Sequence, residues 1–429
     1  MPRSRDIFFR FISVLFVGAA PLTALAEPST VPRDAAAALP RQPESPTAAP
    51  SLRDLVTRAR EHAPEVALGR AQLEASRSSY ASARMAPVGN PYLEIRADHG
   101  NRGVTRDVYI DGSLWLPLEV SGQRKSRGRE AADFVAWNAA LVEQARAAAA
   151  ARTVRAYGLL VVAEKRLRVL QELSEATEAE ARYYSERLAM GDATERDAAL
   201  SAVDAARHKM LLSETRSELL RANGELVELT GVRLSDDVPR DPLPSIFSRT
   251  PAPAPHVEKA PSLRALQAQA AYYASARERL RKEGQSPVSV GVLAGRGDFG
   301  ETRLGAGLGY AFPLFRTNQP ERARADAERV RALQELSLRR EVFSRRVEVL
   351  RQELVELRKA FDVLTEAALP AAERAVAAAR ETYRAGKGDL LSVLVSRRDF
   401  SALALRQLEI LDRSWQLFSE LVEVTGELP

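Results

Sequence analysis

The 429-residue chain has no cysteine, which removes disulfides, thiolate metal sites, a cysteine nucleophile and a lipid-anchored cysteine from consideration. Histidine is nearly as scarce. His62, His99, His208 and His256 stand far apart and in no paired spacing, so neither a histidine metal centre nor a Ser-His-Asp arrangement is expected. Aromatic residues make up only 6% of the chain, and alanine recurs in runs such as Ala147 to Ala151. A low-aromatic composition rich in Ala, Leu, Glu and Arg favours long packed helices over a bulky globular core. The net charge of +5 is small beside 62 basic and 57 acidic side chains. A mixed, solvated surface accounts for it, and no nucleic-acid partner is implied. Beyond the N-terminal segment no apolar run approaches the ~20 residues that a membrane-spanning helix needs; the longest is Gly158 to Ala163.

What is present begins with an export pattern. Arg3 and Arg5 precede a mostly apolar stretch from Phe8 to Ala26, and Ala24-Leu25-Ala26 is a small-x-small cleavage site. Residues 1–26 are therefore expected to be a signal peptide; Arg10 breaks the apolar run and argues against an anchor. Residues 27–50, rich in Pro and Ala without periodicity, read as a disordered leader. The mature chain would be periplasmic, secreted or an outer-membrane β-barrel.

A tandem repeat follows. His62-Ala63-Pro64 and Lys259-Ala260-Pro261 stand 197 residues apart, Leu116-Pro117-Leu118 and Phe312-Pro313-Leu314 196 apart, and Gly191 and Gly386 195 apart, as do Leu229-Thr230-Gly231 and Val424-Thr425-Gly426. An ordered series of this kind implies duplication. The first repeat is placed at 51–232, a linker at 233–261 with its Pro-rich part from Val238, and the second repeat at 262–429.

Each half reads as helix, β-hairpin, long helix, turn, helix. Ser51 to Ala86 and Ser262 to Lys282 are expected helices with capping serines. Leu93, Ile95, Val108, Ile110, Leu114 and Leu116 then alternate with polar residues, as do Val288, Val290, Val292, Leu304 and Leu308 with Ser and Gly. The hairpin tips are Gly-rich (His99 to Gly103, Gly295 to Gly300). Strands of about ten residues, apolar on one face only, follow the outer-membrane barrel pattern. On that phase a charge at Leu308 should be harmful and Gly307→Ser mild. Long helices are expected over Gln123 to Leu188 and Pro320 to Ala385, the second interrupted at Pro370. Stripes such as Val347-Leu350-Leu354-Leu357-Phe361-Leu364, Leu212 to Leu229 and Leu408-Leu411-Trp415-Phe418-Val422 mark paired, coiled-coil-like helices.

Four strands cannot close a barrel, since the smallest closed ones have about eight. From Ser51 to Gly426 the chain resembles the TolC-type outer-membrane efflux protein family in its duplicated order, its hairpins ending in Pro117-Leu118 and Pro313-Leu314, its Gly191 and Gly386 turns and its closing Thr-Gly pairs. Pro117-Leu118-Glu119-Val120-Ser121-Gly122-Gln123-Arg124 is similar to a stretch of the CzcC-like heavy-metal branch, with Ser121 replacing a glycine. The resemblance implies a mainly α fold with a small β part: a homotrimer with one lipid-embedded outer-membrane β-barrel and a periplasmic helical tunnel. It further implies a passive, cofactor-free exit duct, not an enzyme, working with an inner-membrane transporter and a periplasmic adaptor. The cargo would be divalent metal cations or small toxic compounds.

The same resemblance places adaptor docking at the periplasmic tips: Arg187, Leu188, Met190, Gly191 and Asp192 in the first half, Tyr383, Ala385, Gly386 and Lys387 in the second. The residue after each glycine is charged where the family has an apolar one. Asp197 falls where family members carry a constricting carboxylate, whereas the second half has Ser392 and Val395 in that region. A periplasmic adaptor would need β-rich modules that these few, duplicated strands do not supply. A coiled-coil envelope scaffold would leave the export signal and the hairpins unexplained.

Overall fold

A computed structural model describes residues 50–84, 88–102, 105–233, 257–296, 301–315, 317–426 and 428. The expected signal peptide, almost all of the leader, most of the linker and parts of both hairpin tips lie outside the described residues.

The first helix, α1 (Leu52–His62), opens on a reciprocal cap: Asp54 N–H donates to Ser51 Oγ at 3.3 Å, and Ser51 N–H donates to the Asp54 carboxylate at 3.0 Å. It does not continue to Ala86 as the sequence suggested. Ala63 leaves the helix at φ −56°, ψ 141°, and α2 (Pro64–Ala83) starts afresh. Pro64 has no N–H to continue the ladder, and its ring excludes helical backbone at the residue before it. The same chemistry opens α5 (Pro261–Glu283), so Ser262 lies inside the first turn and caps nothing; Ala260 is the cap residue.

Between these helices run β1 (Tyr92–Arg102) and β2 (Thr105–Leu118), and after α5 come β3 (Val288–Arg296) and β4 (Thr302–Tyr310). The strands form one antiparallel sheet in chain order, leaving β1 and β4 as its two edges. Register aligns Leu93, Leu114, Val292 and Ala306 in one row and Ile95, Gly112, Ala294 and Leu304 in the next. Most large side chains of that face are exposed, Leu304 and Leu308 by 83% and 81%. The strands run farther into the first tip than expected, to Arg102 and from Thr105. The other face is not the tolerant one the alternation implied. A Cβ at Gly307 would come within 2.8 Å of the Trp115 ring, so a serine there meets an indole.

The helical part hangs from the sheet. Helix α3 (Gln123–Ala189) has 67 residues, about 100 Å at 1.5 Å per residue. It is followed by α4 (Glu195–Thr230), and in the second half α6 (Gln319–Val363), α7 (Leu369–Arg384) and α8 (Leu390–Thr425) trace the corresponding path. Between α6 and α7 the chain passes through a π turn, Leu364–Ala368, in which Leu369 N–H donates to Leu364 O. Pro370 cannot donate, and its ring crowds the carbonyl four residues back; widening the preceding turn absorbs the misfit without ending the helix. No described helix is long and apolar enough to cross a membrane.

The heptad-like stripes face the core: Val347, Leu350, Leu354, Leu408, Leu411, Phe418 and Val422 are buried. Trp415 is the largest fully buried side chain, edge-on to Tyr157 at 5.6 Å and to Phe418 at 5.9 Å. Its ring fits because α3 offers Gly158 opposite: a Cβ there would lie 2.4 Å from Trp415 Cβ and Cγ. The alanine-rich run of α3 therefore does on one helix what bulky residues of α8 do on the other. Small and large fill a single close-packed layer. Gly158→Ala should cost about 1–3 kcal/mol by overpacking. Gly224→Ala, at a helical glycine with no neighbour within 4 Å, should instead stabilise by up to about 1 kcal/mol. Thermal unfolding of the two purified variants separates the cases, and a Gly158→Ala midpoint at or above the parent's would refute the packing account.

Candidate functional site

The two ends of the helical hairpins are built by one device used twice. Helix α3 stops at Met190, Gly191 takes φ +81°, Gly191 N–H donates to Leu188 O at 3.0 Å, and Asp192 N–H donates to Arg187 O at 2.8 Å. Helix α7 stops at Ala385, Gly386 takes φ +69°, Gly386 N–H donates to Tyr383 O at 3.0 Å, and Lys387 N–H donates to Thr382 O at 3.1 Å. This paired pattern is a Schellman C-cap, and the left-handed position is the reason for glycine in both. The space beyond each glycine is open. Met190 is 68% exposed, and Leu188 and Asp192 of the first turn and Ala385 and Lys387 of the second are exposed as well.

The following helices are capped with the two chemistries exchanged. At α4, Thr194 Oγ1 accepts from Asp197 N–H at 3.2 Å and donates to the Asp197 carboxylate at 2.7 Å. At α8 the cap is the carboxylate: Asp389 accepts from Ser392 N–H at 3.0 Å, and Ser392 Oγ donates to Asp389 O at 2.8 Å. The bonds from Ser392 hold the Asp389 carboxyl below its ordinary value. Asp197, the expected constriction residue, thus has a local structural task, and Ser392 has the matching one.

Behind the tips lies a polar cluster in which Arg187 and Tyr383, expected at the tips, meet residues that the sequence did not point to: Tyr183, Tyr184, Glu180, Asp204 and Arg397. Tyr184 of α3 donates to the Tyr383 hydroxyl at 2.8 Å, joining the first half to the second; burial and then that bond push the Tyr184 phenol upward. Arg187 donates to the Tyr183 hydroxyl at 3.0 Å and lies over its ring at 5.6 Å. Deeper in the bundle, Arg397 of α8, 2% exposed, pairs with Glu180 of α3 and lies 3.9 Å from the Asp204 carboxylate of α4, whose backbone carbonyl is 2.9 Å from His208 Nδ1. The signal was present: Arg397 sits on the stripe Leu390-Val393-Arg397-Ser401-Ala404-Leu408, whose members are all buried. A cation on a buried stripe needs an anion from a neighbouring helix. Among the described residues no group of three or more His, Asp or Glu side chains is placed to hold a metal ion.

No family model matches the chain. Over 366 residues, covering 83% of this chain and 85% of the relative, it is 24% identical to the cobalt-zinc-cadmium resistance protein CzcC of Cupriavidus metallidurans. Among solved structures it matches the outer-membrane channel OprN with a TM-score of 0.71 and 19% identity, over 88% of this chain and 91% of that one. It matches the outer-membrane protein VceC of Vibrio cholerae with a TM-score of 0.67 and 16% identity, over 88% and 97%. The fold is thus that of these solved outer-membrane channels, and the sequence is similar to CzcC along most of its length.

Removing Arg397 leaves Glu180 and Asp204 without their shared cation in a half-buried setting. Arg397→Ala should therefore destabilise by about 1–3 kcal/mol, less than for a fully buried pair because the Glu180 and Asp204 side chains are only partly buried. Arg397→Lys should recover part of the loss. Thermal unfolding decides it, and an Arg397→Ala protein as stable as the parent would show that the cluster contributes nothing net.

Proposed function

We propose that the chain is the outer-membrane exit channel of a tripartite export system. The observation that carries this reading is the four-stranded sheet with two open edges and an exposed apolar face, joined to a helical part whose longest helix, α3, spans about 100 Å. In water such a face is costly, at roughly 1.5–3 kcal/mol for each large side chain left uncovered. In lipid it is at home, but open strand edges are then intolerable, because no water is there to satisfy their N–H and C=O groups. Pairing β4 of one copy with β1 of the next removes both edges. In this reading three copies close one barrel, and their helices continue it as a periplasmic tunnel. Tyr310, Phe312 and Phe315, exposed by 45%, 75% and 87% at the helix-side end of β4, fit an interfacial aromatic girdle.

The remaining assignments follow from this reading. The two halves are a tandem duplication, supported by α4 and α8 having 36 residues each and both ending at a left-handed glycine, Gly231 and Gly426. The Met190-Gly191-Asp192 and Ala385-Gly386-Lys387 turns receive a periplasmic adaptor, which links the duct to an inner-membrane transporter. Asp197 is the constriction candidate, one turn inside the tip. Divalent metal cations are the assigned cargo, on the strength of the CzcC likeness; the duct itself is passive.

Two predictions test the reading. Leu308→Arg should cost about 2–4 kcal/mol if that face meets the bilayer midplane, so outer-membrane trimer should fall on native mass measurement in detergent. A stable, detergent-free monomer of the parent would overturn the barrel. Gly191→Trp and Gly386→Trp, far from the sheet, should leave trimer levels intact. Crosslinking to the adaptor and tolerance of zinc, cobalt and cadmium should drop in cells that depend on this channel. Normal tolerance in both variants would remove the tips from the docking role, and lost dye tolerance with intact metal tolerance would reassign the cargo.

A further inference from the structure

The face of the sheet opposite Leu304 and Leu308 carries a large side chain laid flat on glycine. Register sets Trp115 of β2 beside Gly291 of β3, which pairs in turn with Gly307 of β4. A Cβ at Gly291 would lie 2.6 Å from Trp115 Cε3, one at Gly307 2.8 Å from Cη2, and one at Gly309 3.4 Å from Cζ3. The indole therefore crosses from its own strand over β3 to β4, pressed against bare backbone. Two contacts hold it down. Its Nε1–H donates to Ser113 Oγ at 2.8 Å, and Tyr92, directly opposite on β1, lies nearly parallel at 15° with ring centroids 6.4 Å apart. Glycine weakens a strand and is expected in one only where something must come close. Here the indole is what comes close.

We infer that Trp115 sets the free width of the barrel lumen, and that Gly291, Gly307 and Gly309 keep the duct wide by giving its indole room to lie against the wall. The inference rests on the proposed closure of the sheet into a barrel with this face inward. In that barrel every copy contributes one indole at the same level. A methyl group added under the ring denies it the flat position, so the side chain must turn off the wall and into the passage, and the largest molecule that can enter past it from the hairpin-tip end becomes smaller.

The absence of cysteine makes a direct test possible. Ser289 shares the Trp115 face and lies one pleat nearer the helices, between Pro117 and Gly309. A reagent entering from the hairpin-tip end must pass the Trp115 level to reach Ser289→Cys, the chain's single thiol. Intact cells carrying the full-length protein are treated with a small membrane-impermeant thiol reagent, then with polyethylene glycol maleimides of increasing length, and the longest that labels is read. In the Gly291→Ala background the small reagent should still label while the length cut-off falls. In Gly291→Ala/Trp115→Ala the cut-off should return at least to the parent value. Gly307→Ala, which meets the ring from the other strand, should repeat the fall, and trimer level is measured alongside as a check on folding. If trimers form and the cut-off is the same in all variants, or if removing Trp115 fails to restore it, Trp115 does not set the width. If even the small reagent leaves Ser289→Cys unlabelled in the parent, the inward face itself, and with it the barrel reading, is wrong.

Discussion

A sheet of four antiparallel strands with both edges open cannot be a finished object when one of its faces is apolar and exposed. The two faces of the sheet are arranged around that constraint. The polar face is unusually bare, with glycine at 291, 295, 305, 307 and 309, so Trp115 can lie along it instead of standing up from it. The apolar face keeps its large side chains uncovered within one copy. Water opposes both the uncovered face and the unpaired edges. In the proposed barrel, lipid together with neighbouring copies would resolve the two at once, which is why the sheet carries the functional reading.

The helical part solves a different problem, that of holding very long helices together with few aromatic residues. Close approach replaces bulk. Gly158 and the alanines of α3 let Trp415 and Phe418 of α8 sink between helices, so a few large rings serve a long interface. The two halves are not equal in this respect. In the first, α3 runs unbroken for 67 residues, whereas the second reaches its tip through α6, a π turn and α7. The π turn is the local answer to Pro370. It keeps the chain on a helical path into α7, whose Tyr383 lies at hydrogen-bonding distance of Tyr184.

At the tips the halves agree again in backbone and differ in side chain. Both turns use the same C-cap with glycine at the left-handed position, but the helices that follow reverse which residue supplies the hydroxyl and which the carboxylate. An equal cap is thus reached with a different distribution of negative charge, Asp197 inside the helix in one half and Asp389 at its entrance in the other. The tyrosine pair and the Arg397–Glu180–Asp204 cluster lie between the halves, so the ends of the two hairpins are tied to each other and not only to their own partners.

Much of this was legible in the chain alone. Period-two and 3-4 spacings located the strands, the long helices and their inward stripes, because side-chain direction follows directly from backbone period. The turn glycines were legible because positive φ excludes most other residues. Proline chemistry is legible only in part: the pattern around Pro370 marks a disturbed helix, whereas the break at Ala63 and the opening of α5 at Pro261 emerge in the structure. What the sequence withheld was which residues from distant elements meet. Trp115 lies on glycines more than 170 residues away, Gly158 faces Trp415, and Arg397 finds Glu180 and Asp204. None of these partners is fixed by spacing. Each depends on the register of one strand against the next or on the rotation of one helix about another, and those are decided only when the packed layers form.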